Sequence, residues 1–60
     1  MVYDNVVDIC ESKGITISAL EKKAELGNGT IHSWKDSNPT VTTLNKVAVA
    51  LEVPIGDLLK

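Results

Sequence analysis

The side chains that could support catalysis in this 60-residue chain are few and poorly placed. Its single histidine, His32, is followed directly by the hydroxyl of Ser33. Neighbouring residues on a helix point in different directions, so this pair does not provide the nucleophile and base that acyl transfer needs. The sequence contains neither a glycine-rich phosphate loop nor the Cys/His spacing of a metal site. We therefore predict that the chain is not an enzyme and uses no cofactor, metal or small-molecule ligand.

The same stretch is rich in side chains that form hydrogen bonds. It contains two large apolar residues, Ile31 and Trp34, at the three-residue spacing of one helix face. If that face is buried, helical periodicity turns the remaining residues outward or onto the flanks: Asn28, Gly29, Thr30, His32, Ser33 and Asp36. The pattern predicts a helix over about residues 28–36 that presents a polar surface.

Capping residues divide the chain into five predicted helices. The first runs from about Tyr3 to Lys13 and ends at Gly14, because glycine readily adopts the left-handed conformation that follows a helix. The second begins after Thr16, whose hydroxyl can accept a hydrogen bond from a free amide of the first turn.

A hydrophobic staple, in which residues just before and just inside a helix pack together, is predicted twice. Ile15 and Leu20 have this spacing in the second helix. Leu26 and Ile31 have it in the third, with Gly27 as the cap. Only three or four residues separate these helices, so the chain must turn sharply between them, as it does in a helix-turn-helix.

The remaining helices follow a loop at residues 36–39. Thr40 is predicted to cap the fourth helix. The residues of that helix expected to face the core are Val41, Leu44, Val47, Ala48 and Leu51. A short fifth helix follows Pro54 and ends in Leu58 and Leu59. These elements predict an all-α, compact five-helix fold with a single domain over residues 1–60.

Composition places the chain among small intracellular proteins. Hydrophobic residues make up 43% of it, and the one cysteine, Cys10, cannot form a disulfide within the chain. No apolar run approaches the length of a signal or membrane segment. We therefore expect a soluble, cytoplasmic protein that has no membrane partner.

The charge is unevenly distributed along the chain. The net charge is −2, and all six basic residues are lysines. Residues 1–12 carry three acids and no base, whereas residues 13–35 carry four lysines and two glutamates. Residues 36–60 carry two lysines and three acids. The positive charge is thus concentrated in the segment that contains the predicted polar surface.

In their order and spacing, these motifs resemble the Cro/repressor, or XRE-like, family of helix-turn-helix domains. The resemblance covers nearly the whole chain and is carried by residues 14–24, 26–31, 34–35, 39–41, 43–44 and 51–59. The Leu-Gly-Asn-Gly-Thr-Ile run at residues 26–31 is particularly similar to repressors of Gram-positive bacteria and their phages. The resemblance implies a helix-turn-helix at residues 17–36. It also implies that the protein is a phage- or prophage-type repressor that binds double-stranded DNA in the cytoplasm of a bacterium or of a phage-infected bacterial host.

The resemblance also implies roles for single residues, because in this family the third helix enters the major groove. The implied base contacts are Asn28, Gly29, Thr30, His32 and Ser33. Asn28 can bond adenine, Thr30 can touch a thymine methyl, and Gly29 lets the backbone come close. The implied phosphate contacts are the backbone amides of Ile17 and Ser18 and the side chains of Lys22 and Lys35.

Three residues depart from the family pattern. Glu25 stands in the turn where glycine is common, and Ile17 stands where a polar residue is common. Asp36 stands where a phosphate contact is often made, and a carboxylate repels phosphate.

Each residue of the predicted site also has an ordinary structural interpretation. Asn28 and Thr30 are common first-turn residues, and His32 and Lys22 are common on solvated faces. A protein-interaction module or antitoxin-like partner on the same fold is the alternative function, since the chain has few basic residues. Pairing on a palindromic operator is expected through Val53, Leu58 and Leu59, which alternatively only close the core.

Overall fold

The computed structural model of the protein describes residues 1–60 and contains helices but no strand. Three elements are α-helices: α1 (Val2–Lys13), α2 (Ile17–Lys23) and α3 (Val41–Leu51). Two single turns of 3-10 helix, His32–Lys35 and Ile55–Leu58, occupy the places of the predicted third and fifth helices. The all-helical prediction is confirmed, whereas the count of five is met only if these short turns are included.

The two threonine caps predicted from the sequence are confirmed. The Oγ1 atom of Thr16 accepts a hydrogen bond from the Ala19 amide at 3.0 Å. The Oγ1 atom of Thr40 accepts one from the Thr43 amide at 3.2 Å. Each bond satisfies an amide of the first turn that has no partner within its own helix, and so fixes where the helix begins.

A residue in the left-handed conformation follows each of the three α-helices, directly after α1 and α3 and one residue later after α2. The residues concerned are Gly14 (φ 70°), Glu25 (φ 59°) and Glu52 (φ 59°). After α2, the Glu25 amide donates to the Lys22 carbonyl and the Leu26 amide donates to the Glu21 carbonyl. This pair of bonds is the Schellman motif, which favours glycine at the left-handed position. Of the three left-handed positions, only the one after α1, Gly14, is occupied by glycine.

Glu25→Gly is expected to raise the melting temperature. A left-handed residue with a Cβ costs roughly 1–2 kcal/mol, and glycine returns roughly 0.4–1 kcal/mol of this through its freer unfolded state. The balance is a gain of up to about 1.6 kcal/mol, and each kcal/mol corresponds to a rise of about 4–8 °C in a domain of this size. Thermal unfolding followed by circular dichroism measures it. Glu25→Ala is the control, since it removes the same carboxylate and keeps the strain. An equal rise in both variants would assign the effect to charge.

The core is one cluster of twelve buried residues contributed by every helical element. Leu44, Val47, Ala48 and Leu51 of α3 are buried as predicted, but Val41 is 77% exposed. Val41 is the first residue of α3, so its side chain lies beyond the region that the other elements cover. Its assignment to the core was wrong.

Cys10 and Leu58 are two of the buried residues of this core. Cys10 is 2% exposed, and burial raises the pKa of its thiol, because desolvation disfavours the thiolate. Leu58 is fully buried beneath α1 and α3. Asn5 closes this end of the molecule, because its Nδ2 atom donates to the carbonyls of Leu58 at 2.9 Å and Lys60 at 3.1 Å.

None of the helices has the length and apolar character needed to cross a membrane.

Candidate nucleic-acid interface

Residues 28–36, here called the recognition segment, are less regular than the sequence predicted. A turn at residues 28–31 leads into the 3-10 helix His32–Lys35, so the predicted continuous helix was wrong. Its backbone bonds are mixed: the Ser33 amide donates to Gly29, four residues back, whereas the Trp34 amide donates to Ile31, three residues back. Ile31 and Trp34 are still buried, because in a 3-10 helix residues three apart share a face.

Gly29 is the main reason for this irregular start. Its φ of 86° lies in the region that residues with a Cβ rarely adopt and is incompatible with an α-helix. A Cβ built at this position would meet no atom within 4 Å. Glycine is therefore required here by the backbone and not by packing inside the chain, and the space in front of it is open.

Glu21 of α2 holds the start of the recognition segment. Its Oε2 atom accepts a hydrogen bond from the Ile31 amide at 3.0 Å, and its Oε1 atom accepts one from the Gly29 amide at 3.3 Å. Glu21 is 4% exposed and is the only buried charged residue of the chain. Burial of a carboxylate is costly unless hydrogen bonds compensate for it. If the carboxylate were removed, the buried Ile31 amide left without a partner would cost about 1–3 kcal/mol.

The role of Glu21 was missed in the sequence, although a signal was present. Ile17, Leu20 and Ala24 mark the inward face of α2, and Glu21 lies on the same stripe, four residues after Ile17. An acid on an apolar stripe indicates a buried partner. Gly27 was predicted to cap this segment. It does so only through its backbone carbonyl, which accepts a hydrogen bond from the Thr30 amide at 3.1 Å.

Asn28 lies exposed at the edge of a groove between α2 and the recognition segment. The groove has a volume of about 290 Å³ and is lined by Ser18, Glu21, Lys22, Leu26 and Asn28. The structure thus brings together one predicted base contact and two predicted phosphate contacts, Ser18 and Lys22. All three of these residues are exposed.

Thr30 and Ser33 are less free than the sequence suggested. Thr30 is half-buried, and its carbonyl accepts the Ser33 hydroxyl at 2.6 Å. A hydroxyl has a single proton to donate, so Ser33 retains only acceptor capacity toward solvent. The Ser33 carbonyl in turn accepts the Ser37 hydroxyl at 3.2 Å. The hydroxyls of Ser33 and Ser37 therefore stiffen the segment by bonding its backbone carbonyls.

His32 and Lys35 lie against Tyr3 of α1. The rings of Tyr3 and His32 meet edge to face, with centroids 6.2 Å apart. The Lys35 Nζ atom lies 5.3 Å from the centroid of the Tyr3 ring, within the range of a cation–π interaction. His32 and Lys35 are nevertheless exposed. Tyr3 was not predicted to belong to the site, because its partners lie about thirty residues away in the chain.

The backbone amides of Ile17 and Ser18 have no hydrogen-bond partner in the chain, since Thr16 bonds the two amides that follow them. The side chain of Ile17 is half-buried, so only its backbone is available to a ligand. The two ion pairs of the chain are at its termini, and neither Lys22 nor Lys35 lies within salt-bridge distance of a carboxylate. Both lysines are therefore available to bind an anion.

The charge of the helix-turn-helix is more favourable to an anion than the sequence total suggests. The Glu21 carboxylate is turned inward onto backbone amides, which leaves Glu25 as the one exposed acid of residues 13–35. Lys13, Lys22, Lys23 and Lys35 are all exposed. Asp36 is also exposed, at the end of the recognition segment, and opposes this effect.

The profile of the family described as Cro/C1-type HTH DNA-binding domain matches residues 5–60. The chain belongs to this family. The resemblance seen in the sequence is thereby confirmed over residues 5–60. No curated protein and no solved structure matches the domain significantly.

Proposed function

We propose that this Cro/C1-type domain binds double-stranded DNA sequence-specifically as a transcriptional regulator, as a repressor of phage or prophage type. The recognition segment enters the major groove. The observation that supports this most strongly is the groove that brings the exposed residues Ser18 and Lys22 of α2 together with Asn28. His32 and Lys35 of the same segment are also exposed.

The proposal divides the surface into residues that read bases and residues that hold phosphates. Asn28 is the main base reader, because it is exposed and its amide group matches the paired donor and acceptor of adenine. His32 reads a second base edge. Thr30 offers its methyl group to thymine, Ser33 offers lone pairs, and Gly29 brings the backbone close.

Phosphate contacts are proposed on both sides of this surface. Ser18 and Lys22 line the groove and Ile17 precedes Ser18 in α2, whereas Lys35 lies against Tyr3 of α1. Two lysine–phosphate contacts correspond to a fall in affinity of about 1.8 log units per log unit of salt. A titration of labelled duplex DNA at several salt concentrations measures this slope. Absence of binding even at low salt would contradict the proposal.

Lys35→Ala and Asp36→Asn are expected to change affinity in opposite directions for every DNA sequence alike. Lys35→Ala should flatten the salt slope by about 0.9, the value for one phosphate contact. Asp36→Asn should tighten binding, because it removes a charge that repels phosphate, by about 0.2–1 kcal/mol at an exposed site. Lys46→Ala is the matched control, since Lys46 is also an exposed lysine without an ion pair and lies in α3, outside the helix-turn-helix. A change confined to one DNA sequence would contradict the assignment of Lys35 to phosphate.

The alternative function, a protein-interaction module or antitoxin-like partner, is favoured by the net charge of −2 and the absence of arginine. The two functions differ in salt dependence. Contacts with phosphate give the steep slope described above, whereas an apolar protein interface gives a shallow one.

Pairing of two domains on a palindromic operator is proposed through Leu59, which is 58% exposed, and the half-buried Val53. Leu58 was wrongly included in this surface, because it is fully buried and closes the core. Half-sites of such a pair would lie about 10 base pairs apart. Sedimentation of the chain with a palindromic duplex tests the pairing, and a single chain per duplex would end it.

A further inference from the structure

We propose that Glu21 is a positioning residue for base readout, through which α2 fixes the orientation of the recognition segment. The proposal rests on the proposed function, since it concerns how the DNA-reading surface is held. Glu21 does not reach the surface itself, because it is 4% exposed and its carboxylate faces the segment's backbone.

The reason for assigning this role lies in how the recognition segment begins. An α-helix that enters a groove owes its rigidity to its own ladder of hydrogen bonds, but this segment opens with a turn and a left-handed glycine. The Thr30 amide donates to the Gly27 carbonyl, but the amides of Gly29 and Ile31 have no acceptor in the chain other than Glu21. Asn28 and Thr30 adjoin these amides, so the carboxylate determines where both side chains point.

The same contacts exclude another mode of DNA binding. Free amides at the start of a helix commonly hold phosphate. Here the Gly29 and Ile31 amides are already occupied by a carboxylate, which would repel a phosphate placed there. The start of the recognition segment is therefore kept for side-chain contacts with bases.

The test is the ratio of affinities for a duplex enriched by site selection and a scrambled duplex of the same composition. In Glu21→Ala this ratio is expected to fall about tenfold, equivalent to ~1.4 kcal/mol. Glu21→Gln retains one carbonyl oxygen to accept the Ile31 amide, and so is expected to retain part of the discrimination. It also keeps the proposal testable if the alanine variant does not fold.

Two control variants separate positioning from stability and from charge. Leu58→Val destabilises the core at the 3-10 helix Ile55–Leu58, outside the segment, and is expected to lower both affinities by the same factor, because only folded chains bind. Glu25→Gln removes one exposed negative charge and leaves the recognition segment untouched. Neither control is expected to change the ratio.

Amide hydrogen exchange gives a second measurement that needs no DNA. In Glu21→Gln the amides of Gly29 and Ile31 are expected to exchange faster relative to amides of α1, with the larger change at Gly29. A parent chain that discriminates between duplexes while both Glu21 variants keep its ratio would overturn this inference alone. A parent chain that does not discriminate would overturn the proposed function together with it.

Discussion

Asn28→Ala is expected to weaken binding to the selected DNA site by about 1–3 kcal/mol, with the loss concentrated at one base-pair position. Asn28 is exposed at the edge of the groove, and no hydrogen bond within the chain uses its amide group. Both of its donor and acceptor functions are therefore available to a base edge. The measurement is a titration of parent and variant against the selected site and its single-base variants.

Asn38→Ala is a suitable control for this change. Asn38 is also exposed, but it lies in the loop before α3, outside the recognition segment. The control is expected to bind every duplex as the parent does. If Asn28→Ala weakened all sequences equally, Asn28 would be a backbone contact. If it had no effect, the assignment of base readout to the start of the segment would be wrong.

Trp34→Ala is expected to leave the chain largely unfolded at 25 °C. Replacement of a buried tryptophan by alanine costs about 3–5 kcal/mol, which is comparable to the whole stability that a core of this size provides. Trp34 is 5% exposed and anchors the recognition segment on the core. Far-ultraviolet circular dichroism and thermal unfolding measure the loss.

His32→Ala, two residues earlier, is the matched comparison. His32 is exposed, so its replacement is expected to change the melting temperature little. A Trp34→Ala variant that melted like the parent would contradict the placement of the indole in the core. It would instead leave Trp34 available to stack on DNA.

The features that could be predicted from the sequence are those set by local interactions. Thr16 and Thr40 cap helices through bonds to amides three residues ahead, and Gly14 ends α1 within a single turn. Such pairs of residues are close in the chain, so their spacing alone reveals them. The inward placement of Ile31 and Trp34 was likewise evident, because it holds for either type of helix.

The features that could not be predicted depend on contacts between distant residues or on backbone geometry. Glu21 binds amides eight and ten residues ahead, and these bonds exist only once α2 and the segment have packed. Gly29 adopts a positive φ, which helical periodicity does not reveal. Tyr3 meets His32 only because α1 crosses the segment. The shape of the recognition segment was therefore less predictable than its position.

Site selection from random duplex DNA by the purified chain tests the central claim most directly. The selection is performed in parallel with a variant that carries alanine at Asn28, Thr30, His32 and Ser33. We expect the parent to enrich one motif, and the variant to remain folded but to lose that motif while it retains salt-dependent binding through its lysines. If the parent enriched no motif, or if the folded variant enriched the same one, the recognition segment would not be the element that reads DNA.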